Sequence, residues 1–218
     1  MDIDTDGHLL YIAGEDNSRT WRYLYRREMQ EILPGLYLGP YSAAASSKLE
    51  VLLQNGITHI LCIRQSLEAR FVRPCFPDRF SYLILEVADT AEENIIQHFP
   101  KVKAFIDDCL QNNGKCLIHD NAGISRSAAF MIAYVMERYN LEFNDAFKLV
   151  QKRRFCIGPN DGFIRQLKEY RPIILARSCM SNNDLHQNEI NEVSLSNNNF
   201  QFQGKRKFST GEDMYSDY

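Results

Sequence analysis

Apolar positions along the 218-residue chain fall into short blocks separated by Gly, Pro and Asn, and the spacing within each block suggests its element. Ile32-Leu-Pro-Gly-Leu-Tyr-Leu-Gly39 reads as a short strand with turn punctuation. Ser47 to Gln54 has helical spacing and stops at Asn55-Gly56. Ile57 to Ile63 is β-branched, apolar and short, the pattern of a buried strand, and Phe80 to Val87 is another. From Asn94 to Leu110 the apolar positions Ile95, Ile96, Phe99, Val102, Phe105, Ile106 and Leu110 recur with helical period. Cys116-Leu-Ile118 reads as the central strand, followed by a loop and an apolar helix, Ser125–Tyr139. Phe143–Arg153 and Gly162 to about Ala176 predict two more amphipathic helices. Strands alternating with helices imply an α/β fold, a central, mainly parallel, twisted sheet flanked by helices. No internal repeat is visible.

The two ends differ from this body. Residues 1–27 read as a polar leader whose one aromatic cluster, Trp21, Tyr23 and Tyr25, is better explained by loose packing on the domain than by a separate binding element. Residues 178–218 are rich in Asn, lack Pro and carry only isolated apolar side chains, a composition that cannot offset chain entropy; disorder is expected there. The domain is therefore placed at residues 28–177.

Charge and composition exclude several classes. Residues 1–177 hold as many basic as acidic side chains, which argues against nucleic acid as a partner. The acidic N-terminus does not resemble a signal peptide, and the longest apolar run, Ala128 to Met136, is too short to span a bilayer, so no membrane partner is expected. Cysteines 62, 75, 109, 116, 156 and 179 form no CxxC pair, which reads as reduced thiols in the cytoplasm, the nucleus or both. No metal or other cofactor is expected. An EF-hand-like start, Asp2-Ile-Asp4-Thr-Asp6-Gly7, has Ala13 where the loop's closing Glu belongs.

The informative stretch is Ile118-His119-Asp120-Asn121-Ala122-Gly123-Ile124-Ser125-Arg126-Ser127, which follows a buried strand and opens a long helix. A loop in that place aims backbone N–H groups inward at the positive end of the helix dipole. Residues 121–126 thus form a candidate phosphate cradle, Asn121, Ala122, Gly123, Ile124 and Ser125 lining it with main chain and Arg126 adding a fork of donors for two phosphate oxygens. Gly123 permits close backbone approach.

At this loop the chain resembles the cysteine-dependent protein phosphatases, whose signature is His-Cys-x5-Arg-Ser/Thr, and its filling resembles the dual-specificity branch. The likeness extends to Ile32–Gly39, Gly56-Ile-Thr-His-Ile-Leu61, Arg153-Arg154 and Pro159-Asn-Asp-Gly-Phe163 with Gln166-Leu167, covering roughly residues 28–177. The resemblance implies that position 120 is that of the nucleophile, that Asp89 matches the acid that protonates the leaving group, and that Ser127 matches the hydroxyl that assists breakdown of the phosphoenzyme. Position 120 is Asp, however. Further stretches, such as Tyr25–Leu36 and Glu93-Asn-Ile-Ile96, resemble the family's inactive branch, the pseudophosphatases, in which glycine can stand at this position. A degenerate site of Asp120, Asp89, Arg126 and Ser127 with no functional catalytic residue is the expectation.

Three readings follow. The first is a pseudophosphatase that binds phosphoproteins or other signalling proteins and competes with, or scaffolds against, active phosphatases; the resemblance suggests mitogen-activated protein kinases among such partners. In the second, Asp120 accepts the cradle N–H bonds, pairs with Arg126 as an internal anion and fills the pocket, leaving another surface to carry interactions. The third, ranked last, is a weak residual phosphatase using Asp120. A carboxylate is a poor nucleophile, and aspartyl-phosphate chemistry generally calls for a divalent metal that no acidic cluster here would hold. Cys116, four residues up the strand and expected to be buried, cannot substitute.

Overall fold

A computed structural model of the chain describes residues 22–179. Its compact unit closes at Ile174. A 3-10 turn, Tyr23–Arg27, leads into a hairpin of β1 (Gln30–Leu33) and β2 (Leu36–Pro40). The segment expected to be one strand is thus two, because Pro34-Gly35 reverses the chain and Gly35 takes φ 77°, a conformation glycine adopts without steric cost. Next come α1 (Leu49–Gln54), β3 (His59–Arg64), β4 (Ser81–Glu86), α2 (Phe99–Gln111), β5 (Cys116–Asp120), α3 (Arg126–Tyr139) and α4 (Phe143–Arg153). Residues 161–174 form a last helix, α5. The described residues 175–179 are helical too, so Ser178 and Cys179 do not match the expected disorder; the remainder of that tail, and residues 1–21 of the leader, lie outside the described residues.

The sheet runs β1-β2-β5-β3-β4, with β1 and β2 antiparallel and the other pairings parallel. β5 is the middle strand, and all five of its residues are buried. Its side chains alternate between two cores. Cys116 and Ile118 join the larger one, with Leu36, Leu38, Leu61 and Ile63 beneath α2, α3, α4 and α5. Leu117 faces the smaller one, with Tyr37, Ile60, Phe80 and Leu52 of α1.

α3 is buried continuously from Arg126 to Met136, which explains why its sequence is apolar around most of its circumference. It stops at Asn140, which takes the left-handed conformation (φ 54°). The helix expected from Asn94 begins as α2 only at Phe99. Pro100 sits in its first turn, where the missing N–H costs nothing, and the chain before it forms a 3-10 turn, Ile96–His98.

Candidate functional site

The site lies where β5 ends and α3 begins, at the carboxyl end of the parallel strands, the usual ligand edge of such sheets. Asp120 is the last residue of β5 and is 2% exposed. The chain then turns back over it. One carboxylate oxygen, Oδ1, accepts the N–H of Ala122 at 2.8 Å and that of Gly123 in a shorter bond. The other, Oδ2, accepts the N–H of Ser127 at 2.9 Å and its hydroxyl at 3.0 Å. Asp120 thus accepts three backbone N–H groups and one hydroxyl of the loop and the first turn of α3. The loop closes tightly against β2: Gly123 has φ 69°, and a Cβ there would stand 2.5 Å from the carbonyl carbon of Gly39 and 2.7 Å from Nη2 of Arg154. Any side chain would push the loop off the sheet.

Arg126 does not pair with Asp120. Its fork is turned onto Glu68, Nη1 to Oε2 at 2.5 Å and Nη2 to Oε1 at 2.9 Å, and Nη1 also reaches the carbonyl of Val87 at 3.3 Å. The planar fork fits one carboxylate bidentately, and Asp120 is already occupied by main-chain donors. Glu68 is set by its own turn, Ser66–Arg70, in which it also accepts the N–H of Gln65 at 2.7 Å. The Arg126 hydrogen bond, working against burial, holds the Glu68 carboxyl below its ordinary value. Burial of Arg126 is more than offset by Glu68, with Asp120 and Asp89 nearby, and its pKa is raised.

The Nε of Arg126 is buried and has no hydrogen-bond partner among the described residues. The backbone N–H groups of Ile124 and Ser125 likewise meet no acceptor among the described residues. Backbone N–H groups at a helix start, such as those of Ile124 and Ser125 before α3, favour an anion.

Asp89 stands at the rim. Its Oδ1 accepts the hydroxyl of Ser125 at 2.6 Å and the amide of Asn160 at 2.9 Å. Its loop is clamped by α5: Gln166 bonds the N–H of Ile95 at 2.8 Å and the carbonyl of Glu93 at 2.7 Å, and a Cβ on Gly162 would stand 2.1 Å from the carbonyl oxygen of Ala91. Asp89, Ser125, Arg126, Ser127 and Asp120 are therefore brought to one place. The loop's carbonyls face outward: that of Asn121 accepts the N–H of Tyr41 at 3.3 Å, and that of Ile124 accepts the N–H of Gly158 at 2.8 Å.

Behind the loop lies Arg154, which is 0% exposed. Its Nε donates to the carbonyl of Gly123 at 2.8 Å and its Nη2 to that of Ala122 at 3.4 Å. The same guanidinium reaches the carbonyls of Glu28 (2.9 Å) and Arg26 (3.0 Å) and the side chain of Gln30. One buried cation thus ties the cradle to the N-terminal segment. All these acceptors are neutral. Burial pushes the guanidinium below its ordinary value, and electrostatic interaction with Cys156 and Asp120 partly restores it.

Sequence reasoning missed Glu68 and the role of Arg154. The Gln65/Glu68 capping box marks a turn without naming its distant partner. Arg154 at the end of α4 looks like an ordinary cation on a helix C-terminus.

His119 is buried, with Nδ1 3.3 Å from the Asp120 carbonyl; burial lowers its pKa to about 4. Two buried thiols near the site, Cys62 and Cys116, are poor nucleophiles. Burial pushes Cys62 up to about 12, and a hydrogen bond with Cys109 together with burial pushes Cys116 well above its ordinary value. Among the described residues no three His, Cys, Asp or Glu side chains converge as a metal site would need.

Residues 36–173 match the family described as "Dual specificity phosphatase, catalytic domain". The mouse serine/threonine/tyrosine-interacting protein is 59% identical over 163 residues, 75% of this chain and 73% of its own. The crystal structure of human tyrosine phosphatase-like serine/threonine/tyrosine-interacting protein superposes with a TM-score of 0.68 at 62% identity, covering 68% of this chain and 99% of that one. Mouse dual specificity protein phosphatase 22 is 38% identical over 142 residues, 65% of this chain and 73% of its own.

Proposed function

The chain belongs to the dual-specificity phosphatase family, and from that premise we propose that it is a pseudophosphatase that binds phosphorylated signalling proteins without dephosphorylating them. In this reading it withholds such proteins from active phosphatases or scaffolds them, in the cytoplasm or nucleus. The observation that carries it is the carboxylate of Asp120 in the nucleophile's place, saturated by four donors, beside the unused Nε of Arg126. A carboxylate so bonded has its lone pairs committed, so attack on phosphorus would require breaking those bonds first. The buried, high-pKa thiols offer no substitute. Binding needs less: the N–H groups of Ile124 and Ser125 at the start of α3 can meet a phosphoryl oxygen, and Arg126 would join them on release from Glu68.

The name of the 59%-identical mouse relative, serine/threonine/tyrosine-interacting protein, supports a partner-binding role. A match of 42% identity over 139 residues, 64% of this chain and 19% of its own, to the Dictyostelium discoideum MAP kinase phosphatase with leucine-rich repeats protein 2 supports phosphorylated mitogen-activated protein kinases as partners.

One observation favours a second reading. Asp120 already holds the N–H groups of Ala122, Gly123 and Ser127, which weakens the cradle for a dianion and would leave interactions to another surface. Isothermal titration with a phosphotyrosine/phosphothreonine peptide, run beside a phosphate-release assay, separates the two. The first reading expects saturable binding without turnover. Turnover abolished by Asp120→Asn would overturn both.

A further inference from the structure

A cleft of about 270 Å3 opens on the side of the smaller core, lined by Arg27, Glu28, Met29, Ala43, Lys48, Val51 and Asn55. Three walls form it. The N-terminal segment supplies residues 27–29, the turn after β2 supplies Ala43, and Lys48 with α1 supplies the rest. Its floor is apolar, with Ala43 buried, Met29 half-buried and Val51 40% exposed.

The wall at residues 27–29 is held in place. The hydroxyl of Ser42 donates to the carbonyl of Arg27 at 3.1 Å, and Arg154 donates to the carbonyl of Glu28 at 2.9 Å. Met29 packs so closely on Gly39 that a Cβ there would stand 2.9 Å from its own Cβ. The cleft is therefore preformed, and its volume lies just below the usual range for ligand sites.

Neither Arg27 nor Lys48 has a carboxylate within salt-bridge distance among the described residues, and Glu28 is the one acid in the lining. Two unpaired cations above an apolar floor complement an acidic segment that carries an apolar side chain. We propose that this cleft is a second docking site, independent of the phosphate cradle, for an acidic peptide segment of a partner protein with one apolar anchor resting on Met29, Ala43 and Val51.

The test is fluorescence anisotropy with a labelled Glu-rich decapeptide holding a single central Leu and no phosphate, titrated with the full chain. Saturable binding is expected. It should weaken about tenfold or more in Lys48→Glu and in Arg27→Glu, and should be unchanged in Lys101→Glu, a charge reversal on the exposed face of α2. Replacing the peptide's Leu by Gly should weaken it as well. The proposal is overturned by the absence of saturation, by equal weakening in Lys48→Glu and Lys101→Glu, or by a Gly peptide that binds as well as the Leu peptide, which would mark a general polyanion surface. Displacement of the peptide by self-association of the chain would assign the cleft to a second copy, and would also overturn it. Because the probe has no phosphate, failure here leaves the reading of the cradle untouched.

Discussion

Ser127 gives both its backbone N–H and its hydroxyl to one oxygen of Asp120, at 2.9 and 3.0 Å, so the first turn of α3 is fastened to the end of β5 by a single carboxylate. With Ala122 and Gly123 on the other oxygen, Asp120 organises the whole loop from within. The family's catalytic thiolate would draw on the same kind of donors to stay ionised; here the donors hold a group that has little reason to leave.

Removing that carboxylate should loosen the loop. Asp120→Ala leaves the buried donors of Ala122, Gly123 and Ser127 without their acceptor, and a loss of about 1–3 kcal/mol is expected in urea unfolding. An anion can take the vacated place. Millimolar phosphate should then raise the melting temperature of Asp120→Ala by several degrees more than that of the unaltered chain. Equal shifts would mean that Asp120 does not occupy the anion's position.

Arg154 is expected to matter more than its place at a helix end suggests. Arg154→Ala strips donors from the carbonyls of Ala122, Gly123, Glu28 and Arg26 at once and leaves a cavity, a loss of roughly 3–5 kcal/mol. Arg154→Lys keeps the charge but cannot fork to both segments and should fall between. Hydrogen exchange should locate the first loosening in residues 26–30 and 121–124. Arg154→Ala with near-native stability would contradict the assignment.

His119 makes stability fall in mild acid. Its folded pKa of about 4 lies below the ordinary 6.5, so between those values the unfolded chain takes up a proton that the folded chain does not. The contribution is full above pH 6.5 and is lost as pH drops toward 4. From pH 7 to pH 5 the unaltered chain should lose about 2 kcal/mol more than His119→Gln, measured by denaturant midpoints at both pH values.

Restoring the nucleophile tests the rest of the machinery. Asp120→Cys should release phosphate from an aryl phosphate, because Ser127 already bonds the side chain at position 120, Asp89 is tied to the same loop through Ser125, and Arg126 opens the helix that follows. Adding Asp89→Asn should reduce that activity about a hundredfold or more, as loss of a general acid would. An inactive Asp120→Cys chain with a native melting profile would mean that the loop geometry suits only the carboxylate.

How far the site could be read from the sequence follows from where its parts lie. The loop and its closing of α3 were legible because residues 118–127 are contiguous, and a strand, a Gly and an apolar helix in that order admit few geometries. Asp89 was legible only through the family resemblance, since nothing local marks it. The partner of Arg126 was not legible: Glu68 lies 58 residues away, and which carboxylate wins the fork depends on the turn that aims it. Arg154, 31 residues from Gly123, was hidden likewise, because a buried guanidinium with only carbonyl partners leaves no charge pattern to find. The hairpin at Pro34-Gly35 was read as one strand because its two halves are each too short to show their own alternation.

The cradle is expected to read phosphate without acting on it. The direct measurement is titration of the unaltered chain, Asp120→Gly and Arg126→Ala with one phosphotyrosine/phosphothreonine peptide. The unaltered chain should bind, Asp120→Gly should bind more tightly, and Arg126→Ala should lose binding by at least about tenfold. Binding by Asp120→Gly alone would show that Asp120 closes the pocket and would contradict this expectation.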